Sequence, residues 1–411
     1  MDEKNKSVKR IPNTKVILMV FTLGIAYFFS NFHRLSLGII GNEISSDFNL
    51  TSAQLGFLGS IFFYAYGAMQ IPSGIIVDKM GAKTIITLSC VLTAISTFAF
   101  SLSTNLTALI ITRGLTGLAV AFIYVPALTA LRQWFDDKVL GTMIGILTSM
   151  GQLGSVFASV PLRIATDMFG WRNTFRIISY ITFILSILIL TNVMNKNKVH
   201  DNSGKIGNNM SNNKCMHNPG FLSIALWFFF AGGTRMAFQG LWGSQYFTKV
   251  LESSGEFSSV LLMLISIGCV IGAIISGRLA DRYGSIKTLI ISSIIIAIIW
   301  FIMTGFNSNT PVVFLVLICL TLGVAGSGGF TIAFSCVREF SGKSNTGVLT
   351  GINNCAAFFG SAVITQYSGI VVGMLENFSL NTRYTILLFS FGVICSIMTL
   401  CITNFNKGKI I

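Results

Sequence analysis

The sequence carries one short motif twice. Residues 73–83 read SGIIVDKMGAK, and residues 276–287 read SGRLADRYGSIK. In both copies an Asp follows the first Gly by four residues, a basic residue follows the Asp, and a second Gly stands three residues after the Asp. Asp78 and Asp281 are 203 residues apart, which is close to half of the 411-residue chain. A motif that recurs at this distance indicates an internal duplication.

The composition around the motif predicts an integral membrane protein. Hydrophobic residues make up 53% of the chain and charged residues only 10%, whereas a soluble domain carries about 25% charge. The 35 Phe and 40 Gly residues fit transmembrane helices, in which small residues allow close helix contact. Collagenous, disordered and disulfide-scaffold classes are excluded at the same step.

Twelve apolar stretches between polar breaks are long enough to cross a bilayer, which takes about 20 helical residues. They lie near 16–41, 53–77, 84–102, 106–131, 140–162, 173–194, 219–247, 257–280, 286–305, 311–336, 346–374 and 384–405. The predicted fold is an all-α membrane protein with twelve transmembrane helices in two pseudo-symmetric six-helix bundles. We expect the bundles in residues 1–194 and 219–411, joined by a polar linker at 195–218.

The distribution of positive charge predicts topology rather than nucleic-acid binding, although the net charge is +14. Twenty of the 28 Lys and Arg residues fall in the two terminal segments, the linker and the loops on their side, while five fall on the other side. By the positive-inside rule, both termini and the linker are cytoplasmic. We expect a multi-pass protein of the plasma (inner) membrane, with the lipid bilayer as a partner, no nucleic acid and no cleavable signal peptide.

The sequence contains no recognisable motif for a metal site, a nucleotide-binding site or an enzyme active site. Seven of the eight cysteines lie in apolar runs, and none forms a CxxC or zinc-ligand spacing. Gly342, Lys343 and Ser344 resemble the end of a phosphate-binding loop, but Val337 stands where its first Gly should be. We therefore expect no metal site, no cofactor and no enzymatic activity.

Three arginines lie inside predicted spans: Arg34 in span one, Arg113 in span four and Arg235 in span seven. A charge at the centre of a span costs about 2.5–3.5 kcal/mol, and none of the 14 acidic residues lies equally deep. An anionic substrate would neutralise these arginines. Arg34 and Arg235 are 201 residues apart, so they nearly superpose under the repeat, and their guanidinium forks could clamp an anion between the halves. The alternative is a snorkelling or carbonyl-capping role.

Further polar side chains accompany the two arginines. Tyr27, Asn31 and Arg34 share one helix face at i, i+4 and i+7, and Arg235, Gln239 and Trp242 have the same spacing. Spans five and eleven contribute Gln152, Asn353 and Asn354. Each set could bind substrate or could only join helices.

The repeated motif can be interpreted as a conformational clasp, a pair of loops whose charged residues hold one face of the molecule closed. Its residues are Gly74, Asp78, Lys79 and Gly81 in one copy and Gly277, Asp281, Arg282 and Gly284 in the other. Each Asp stands where a helix ends against a Gly turn, so it could cap a neighbouring helix and pair with the adjacent base.

The motif also resembles the signature of the major facilitator superfamily, with the final base of the second copy displaced to Lys287. The resemblance implies two six-helix bundles that rock around a central site by alternating access. The first half, including NFHRLSL at 31–37 and YGAMQIPSG at 66–74, is similar to the anion:cation symporters, which carry organic acids. Arginines on spans one and seven look like the arrangement in organophosphate:phosphate antiporters.

The coupling residues depart from that resemblance. The symporters commonly have an acid before the span-one arginine and another in span four, but here His33 precedes Arg34 and span four has no acid. His33 titrates near neutrality and remains a candidate for coupling, as does Arg113. Proton coupling, exchange against a counter-anion and uniport therefore all stay open.

The sequence thus predicts a secondary active or facilitative transporter of a small organic anion, with Arg34 and Arg235 binding the anionic group. One alternative is a transporter of a zwitterionic amino acid or dipeptide. Another, from a different class, is a non-transporting receptor on the same fold.

Overall fold

A computed structural model describes residues 14–194 and 218–407, apart from the side chains at positions 137, 138, 328, 334 and 337–348. The predicted linker, apart from Asn218, lies outside the described residues, as do both terminal segments. Eleven helices in the described part are long and apolar enough to cross a membrane, and a pair bent by 47° makes a twelfth span. This confirms the predicted all-helical fold of twelve spans, while the division of the chain at 194 and 219 stays a prediction.

The spans are numbered in chain order. They are Thr14–Asp47, the bent pair Ser52–Ala68 and Gln70–Met80, Ala82–Ser101, Leu106–Trp134, Val139–Phe157, Val160–Asn192, Pro219–Lys249, Gly255–Tyr283, Ser285–Met303, Val312–Ala333, Leu349–Met374 and Leu380–Phe405. Spans ten and eleven belong to one continuous helical stretch, Val312–Met374. Both spans contact the same part of span seven, since an added Cβ at Gly329 would touch Trp227 and one at Gly360 would touch Phe229. The chain therefore reverses its direction between them.

Span six begins earlier than the sequence predicts. Residues 163–172 are expected to form a loop, but the helix already starts at Val160 and is interrupted only at Gly170, whose φ is 73°. Arg163 and Asp167 form an ion pair one turn apart, which supports the short first segment. Arg163 also pairs with Glu43 at the end of span one.

The alternating direction of the spans defines two faces. The linker face is where span six ends at Asn192 and span seven begins at Pro219, and the far face is the opposite one. On the far half, an added Cβ at Gly56 of span two would lie 3.0 Å from the Cα of Gly369 of span eleven. Ser266 of span eight donates to the carbonyl oxygen of Ser155 of span five at 3.4 Å.

Toward the linker face the contact between the bundles becomes looser. Span two still touches span eleven there, where Asn354 donates to Gln70 at 2.8 Å. An added Cβ at Gly145 of span five or Gly351 of span eleven, however, would meet no heavy atom within 4 Å. Backbone contacts between the bundles are found at Gly38 with Gly240 and at Gly56 with Gly369, so the bundles pack tightly at the crossing and over their far halves.

The two copies of the motif adopt the same turn. Gly81 has φ 81° and ψ 153°, and Gly284 has φ 88° and ψ 146°. A positive φ of this size favours glycine, so the internal repeat extends to backbone geometry. Asp78 and Asp281 are exposed, and neither makes a cap or ion pair with any residue that the structure describes. Among the side chains that the structure describes, the predicted pairing is therefore not formed, and Gly74 and Gly277 have no neighbour within 4 Å of an added Cβ.

Candidate functional site at the crossing of spans one and seven

Spans one and seven meet backbone to backbone at the centre of the molecule. An added Cβ at Gly38 would lie 3.1 Å from the carbonyl oxygens of both Gln239 and Gly240. Arg34 precedes Gly38 by one helical turn, and Arg235 precedes Gln239 by one turn. Both spans run from the linker face to the far face, so both arginines lie at similar depth on the linker side of this crossing.

Arg34 is held by polar and aromatic groups. Its Nη1 donates to the Oδ1 of Asn31 at 3.0 Å, and its Nη2 donates to the hydroxyl of Tyr66 at 3.4 Å. The guanidinium carbon lies 5.2 Å from the ring centre of Tyr66 and 5.0 Å from that of Phe358. Because Phe358 belongs to span eleven, Arg34 of the first bundle contacts the second bundle directly.

Arg235 has a similar environment in the second bundle. Its Nη1 donates to the Oε1 of Gln239 at 2.8 Å, and its guanidinium carbon lies 5.4 Å from the ring centre of Phe330. Gln239 in turn donates to the hydroxyl of Ser266 at 2.9 Å. Since Ser266 also contacts the carbonyl of Ser155, this chain of hydrogen bonds reaches the first bundle.

Neither arginine has a negatively charged partner among the side chains that the structure describes. The ion pairs found there join Arg163 to Glu43 and Asp167 near the far face. The Nε atoms of Arg34 and Arg235 are buried, and no hydrogen-bond acceptor within the described residues reaches them. A guanidinium with an unused N–H donor can bind a carboxylate or phosphate oxygen through charge-assisted hydrogen bonds.

Two glycines make room for these side chains. An added Cβ at Gly326 of span ten would lie 2.0 Å from the Cδ of Arg235. An added Cβ at Gly151 of span five would lie 2.3 Å from the ring of Tyr27 and 2.8 Å from the Nδ2 of Asn31. Each side chain therefore lies directly on a neighbouring helix backbone.

The polar stripe of span seven ends earlier than its sequence spacing predicts. Gln239 contacts Arg235, but Trp242 donates from its indole to the carbonyl of Thr365 at 2.9 Å. The reason is a wider helical turn, since Phe238–Trp242 and Phe228–Gly232 are π-helical segments on either side of Arg235. Such segments shift the register of later residues and occur frequently at functional sites.

On span one, the predicted stripe is brought together. Asn31 bridges Arg34 and the carbonyl of Tyr27, to which its Nδ2 donates at 3.1 Å. The ring of Tyr27 stacks on Tyr124 of span four at 4.7 Å between centres.

The remaining candidate substrate residues are more scattered. Asn354 is engaged with Gln70, and Asn353 is fully buried with no partner for either side-chain polar atom in the described part of the chain. Gln152 is half-buried next to Gly151 and makes no hydrogen bond with any described residue. Their role in binding stays a prediction.

The coupling candidates His33 and Arg113 are not among the side chains that contact Arg34 in the described structure. His33 is fully buried beside Phe29 and Phe32, and neither ring nitrogen has a partner within the described residues. Arg113 is buried with its guanidinium carbon 4.5 Å from the ring centre of Phe62. The structure does not test whether either residue couples transport to an ion.

Residues 20–365 match the family model described as Major Facilitator Superfamily. The chain belongs to the Major Facilitator Superfamily. The family and the transporter names of its relatives agree with the prediction that the chain is not an enzyme.

The curated relatives include transporters of organic acids. The chain is 28% identical over 194 residues to the probable galactarate/D-glucarate transporter of Escherichia coli K12. This match covers 46% of this chain and 43% of that protein. It is 23% identical over 392 residues to the D-galactonate transporter of Escherichia coli O6:H1, covering 88% of each. It is also 23% identical over 391 residues to the gentisate transporter of Corynebacterium glutamicum, covering 91% of this chain and 84% of that one. The first of these matches thus spans less than half of the relative's length.

Solved structures share the fold. A nucleoside transporter superposes with a TM-score of 0.80 at 16% identity, covering 94% of this chain and 99% of that one. A bacterial homologue of the lysosomal transporter Spinster, inward-facing and unoccupied, superposes with a TM-score of 0.78 at 16% identity, covering 96% and 98%. At these identities the superpositions establish the architecture alone.

Proposed function

We propose that the chain transports a small organic anion across the membrane by alternating access, with Arg34 and Arg235 binding the anionic group. The observation that carries this proposal is the pair of arginines at the crossing of spans one and seven. Both are bonded to neutral amides, neither has a carboxylate partner among the described residues, and each keeps an unused Nε–H. A bound anion would supply the missing negative charge and the missing acceptors.

The relatives support an organic acid as the substrate. Galactarate, D-glucarate, D-galactonate and gentisate, named for three of these relatives, all carry carboxylates. The aromatic rings of Tyr66, Phe358 and Phe330 beside the arginines would exclude water around the anion. A drier site strengthens each charge-assisted hydrogen bond.

The packing of the bundles supports an inward-facing state. The bundles close on the far half and loosen toward the linker face, where the clasp aspartates are unpaired among the described residues. The excess of Lys and Arg on the linker side favours a cytoplasmic linker face. In this proposal the aspartates pair while the linker face is closed, which is the state in which the anion enters from the far side or leaves to it.

Reconstituted protein provides the test. Counterflow of radiolabelled D-galactonate, D-glucarate and gentisate is measured in proteoliposomes for the wild type, Arg34→Gln and Arg235→Gln. Because a hydrogen bond to a charged group contributes about 1.5–3 kcal/mol, each variant should lower apparent affinity by roughly ten- to a hundred-fold. Arg176→Gln is the control, since the Arg176 side chain of span six donates only to the nearby Asn173 in the described structure and lies outside the crossing of spans one and seven. Unchanged counterflow of a transported organic acid in both Arg34→Gln and Arg235→Gln would refute the role of the arginines.

A further inference from the structure

Two apolar grooves open on the outer surface of the bundles, away from the candidate substrate site. The first lies between spans two, three and four, where Ile76, Leu88, Leu92 and Phe122 are among its lining residues. The second lies between spans eight, nine and ten, where Leu279, Ile291, Ile295 and Ala325 are among the lining residues. Leu88 and Ile291 are each more than half exposed, so both grooves face the surroundings of the bundle rather than its interior.

The two grooves are copies of one another. Each pair of equivalent lining residues, from Ile76 with Leu279 to Phe122 with Ala325, is 203 residues apart. This is the spacing between Asp78 and Asp281 in the repeated motif. The same three-helix packing therefore leaves the same gap in both halves of the molecule.

The walls of the grooves are suited to hydrocarbon. Three of their hydroxyl groups donate to helix carbonyls: Ser89 to Ala119 at 2.6 Å, Thr288 to Gly284 at 2.9 Å, and Thr321 to Leu317 at 2.7 Å. In the second groove, Thr288 and Ile295 lie three and ten residues beyond Ser285, the start of span nine on the linker face. At about 1.5 Å per residue, the groove reaches about 5–15 Å into the membrane from that face.

The mouth of the second groove is positively charged. Tyr283 lines it and is 52% exposed, and the guanidinium carbon of Arg282 lies 5.3 Å from the Tyr283 ring centre. Arg278 and Lys287 are exposed next to the lining residues Leu279 and Thr288. The segment has one acidic residue, Asp281, which is exposed. Since Arg278, Arg282 and Lys287 outnumber it, the mouth carries a net positive charge.

We propose that the second groove binds one acyl chain of an anionic phospholipid from the leaflet on the linker face, with the phosphate against Arg282 and its basic neighbours. Lipid tails are as apolar as the groove, so an apolar wall alone gives little preference for one lipid. The preference comes from the basic mouth, since each juxtamembrane Lys or Arg favours an anionic lipid by about five-fold. This proposal depends on the chain crossing a bilayer and not on the identity of the transported substrate.

The repeat supplies a smaller groove for comparison. The volume is about 310 Å³ for the second groove and about 180 Å³ for the first. Phe122 stands in the first groove where the second has Ala325, and Met80 stands where the second has Tyr283. The first groove is therefore narrower and lacks the aromatic support for a basic side chain at its mouth.

Exchange of residues between the copies tests the proposal. Full-length protein is equilibrated with equal amounts of phosphatidylglycerol and phosphatidylcholine of distinguishable mass, and retained lipids are counted by native mass spectrometry. Wild-type protein should retain phosphatidylglycerol in preference to phosphatidylcholine, Ala325→Phe should lose that lipid, and Phe122→Ala should retain an additional lipid. Arg282→Gln should lower phosphatidylglycerol retention about five-fold, while Arg383→Gln, which changes a partly exposed arginine on the far face, should not.

Tyr283→Met provides a second variant if Ala325→Phe fails to fold, because Tyr283 is largely exposed and Met is its counterpart in the first copy. It should also reduce retention of phosphatidylglycerol. Equal retention of the two lipids by the wild type would overturn the proposal. Unchanged lipid retention in folded Ala325→Phe, or in Tyr283→Met, would do the same.

Discussion

Gly326 lies directly against the Arg235 side chain, so replacing it with alanine gives a sharp test of the site. The added Cβ would lie 2.0 Å from the Cδ and 2.8 Å from the Nε of Arg235. Carbon atoms in contact are about 3.5–4.0 Å apart, so the arginine must retreat by about 1.5–2 Å. This movement breaks the 2.8 Å bond from Nη1 to Gln239 and displaces the unused Nε–H.

The size of the effect follows from two contributions. Overpacking a buried site costs about 1–3 kcal/mol of stability, and losing a hydrogen bond to a charged group costs about 1.5–3 kcal/mol of binding. We therefore expect Gly326→Ala to unfold at lower temperature and to bind the anion about ten- to a hundred-fold more weakly. Gly351→Ala is the matched control, since its Cβ would meet nothing within 4 Å.

A double-mutant cycle separates this contact from general disruption of span ten. The free energy of unfolding is compared for Gly326→Ala, Arg235→Ala, the double variant and the wild type. If the added methyl group collides with Arg235, most of its cost disappears once Arg235 is shortened, and the coupling should be about 1–3 kcal/mol. A coupling near zero, or wild-type anion affinity in Gly326→Ala, would show that Gly326 does not make room for an anion-binding Arg235.

Two further predictions concern the change between conformations. Asp78→Asn and Asp281→Asn should slow counterflow several-fold with little change in anion affinity. The reason is that both aspartates are exposed and unpaired among the described residues in this state and act only when the linker face closes. Unchanged rates would contradict a role of these aspartates in the clasp. Gly56→Val should push span two from Gly369, which an added Cβ at Gly56 already approaches to 3.0 Å, and should thereby favour the state closed on the linker face. Cys355 of span eleven lies beside Gly67 of span two, so maleimide should label it more slowly in Gly56→Val. Labelling is measured by peptide mass spectrometry, and an unchanged or faster rate would contradict the predicted shift between states.

Much of the architecture could be predicted from residue patterns. Apolar length and the paired motif predict twelve spans, because both are local properties of the sequence. The start of span six could not be predicted in this way. Its first segment carries Arg163 and Asp167, which interrupt the apolar run, and it is stabilised by their ion pair and by Glu43, which is distant in the sequence.

The candidate site was accessible from the sequence only in part. The arginines stand out because charges in spans are costly, and the spacing of Asn31 and Arg34 predicts their contact. Phe358 and Phe330 carry no such signal, because Phe residues occur throughout the spans and their place beside an arginine depends on how helices from different parts of the chain pack. The π-helical turns of span seven likewise escape any analysis that assumes 3.6 residues per turn.

The glycines beneath the site illustrate the same limit. Gly151 and Gly326 are two among 40 glycines. Nothing local distinguishes them from glycines that ease helix packing elsewhere. Their importance follows only from the side chains that lie on them, Tyr27 and Asn31 in one case and Arg235 in the other.

The most direct test of the anion clamp is thermal unfolding of purified protein in the presence of candidate ligands. The panel includes D-galactonate, D-glucarate, gentisate, phosphate, amino acids, dipeptides and nucleosides. A ligand that binds only the folded state at a hundred times its Kd stabilises it by about 2.7 kcal/mol, which raises the melting temperature. If Arg34 and Arg235 bind the anion, one class of anion should stabilise the wild type, and this stabilisation should be lost in both Arg34→Gln and Arg235→Gln. Stabilisation only by zwitterionic or neutral compounds, or by an anion equally in the wild type and both variants, would contradict it.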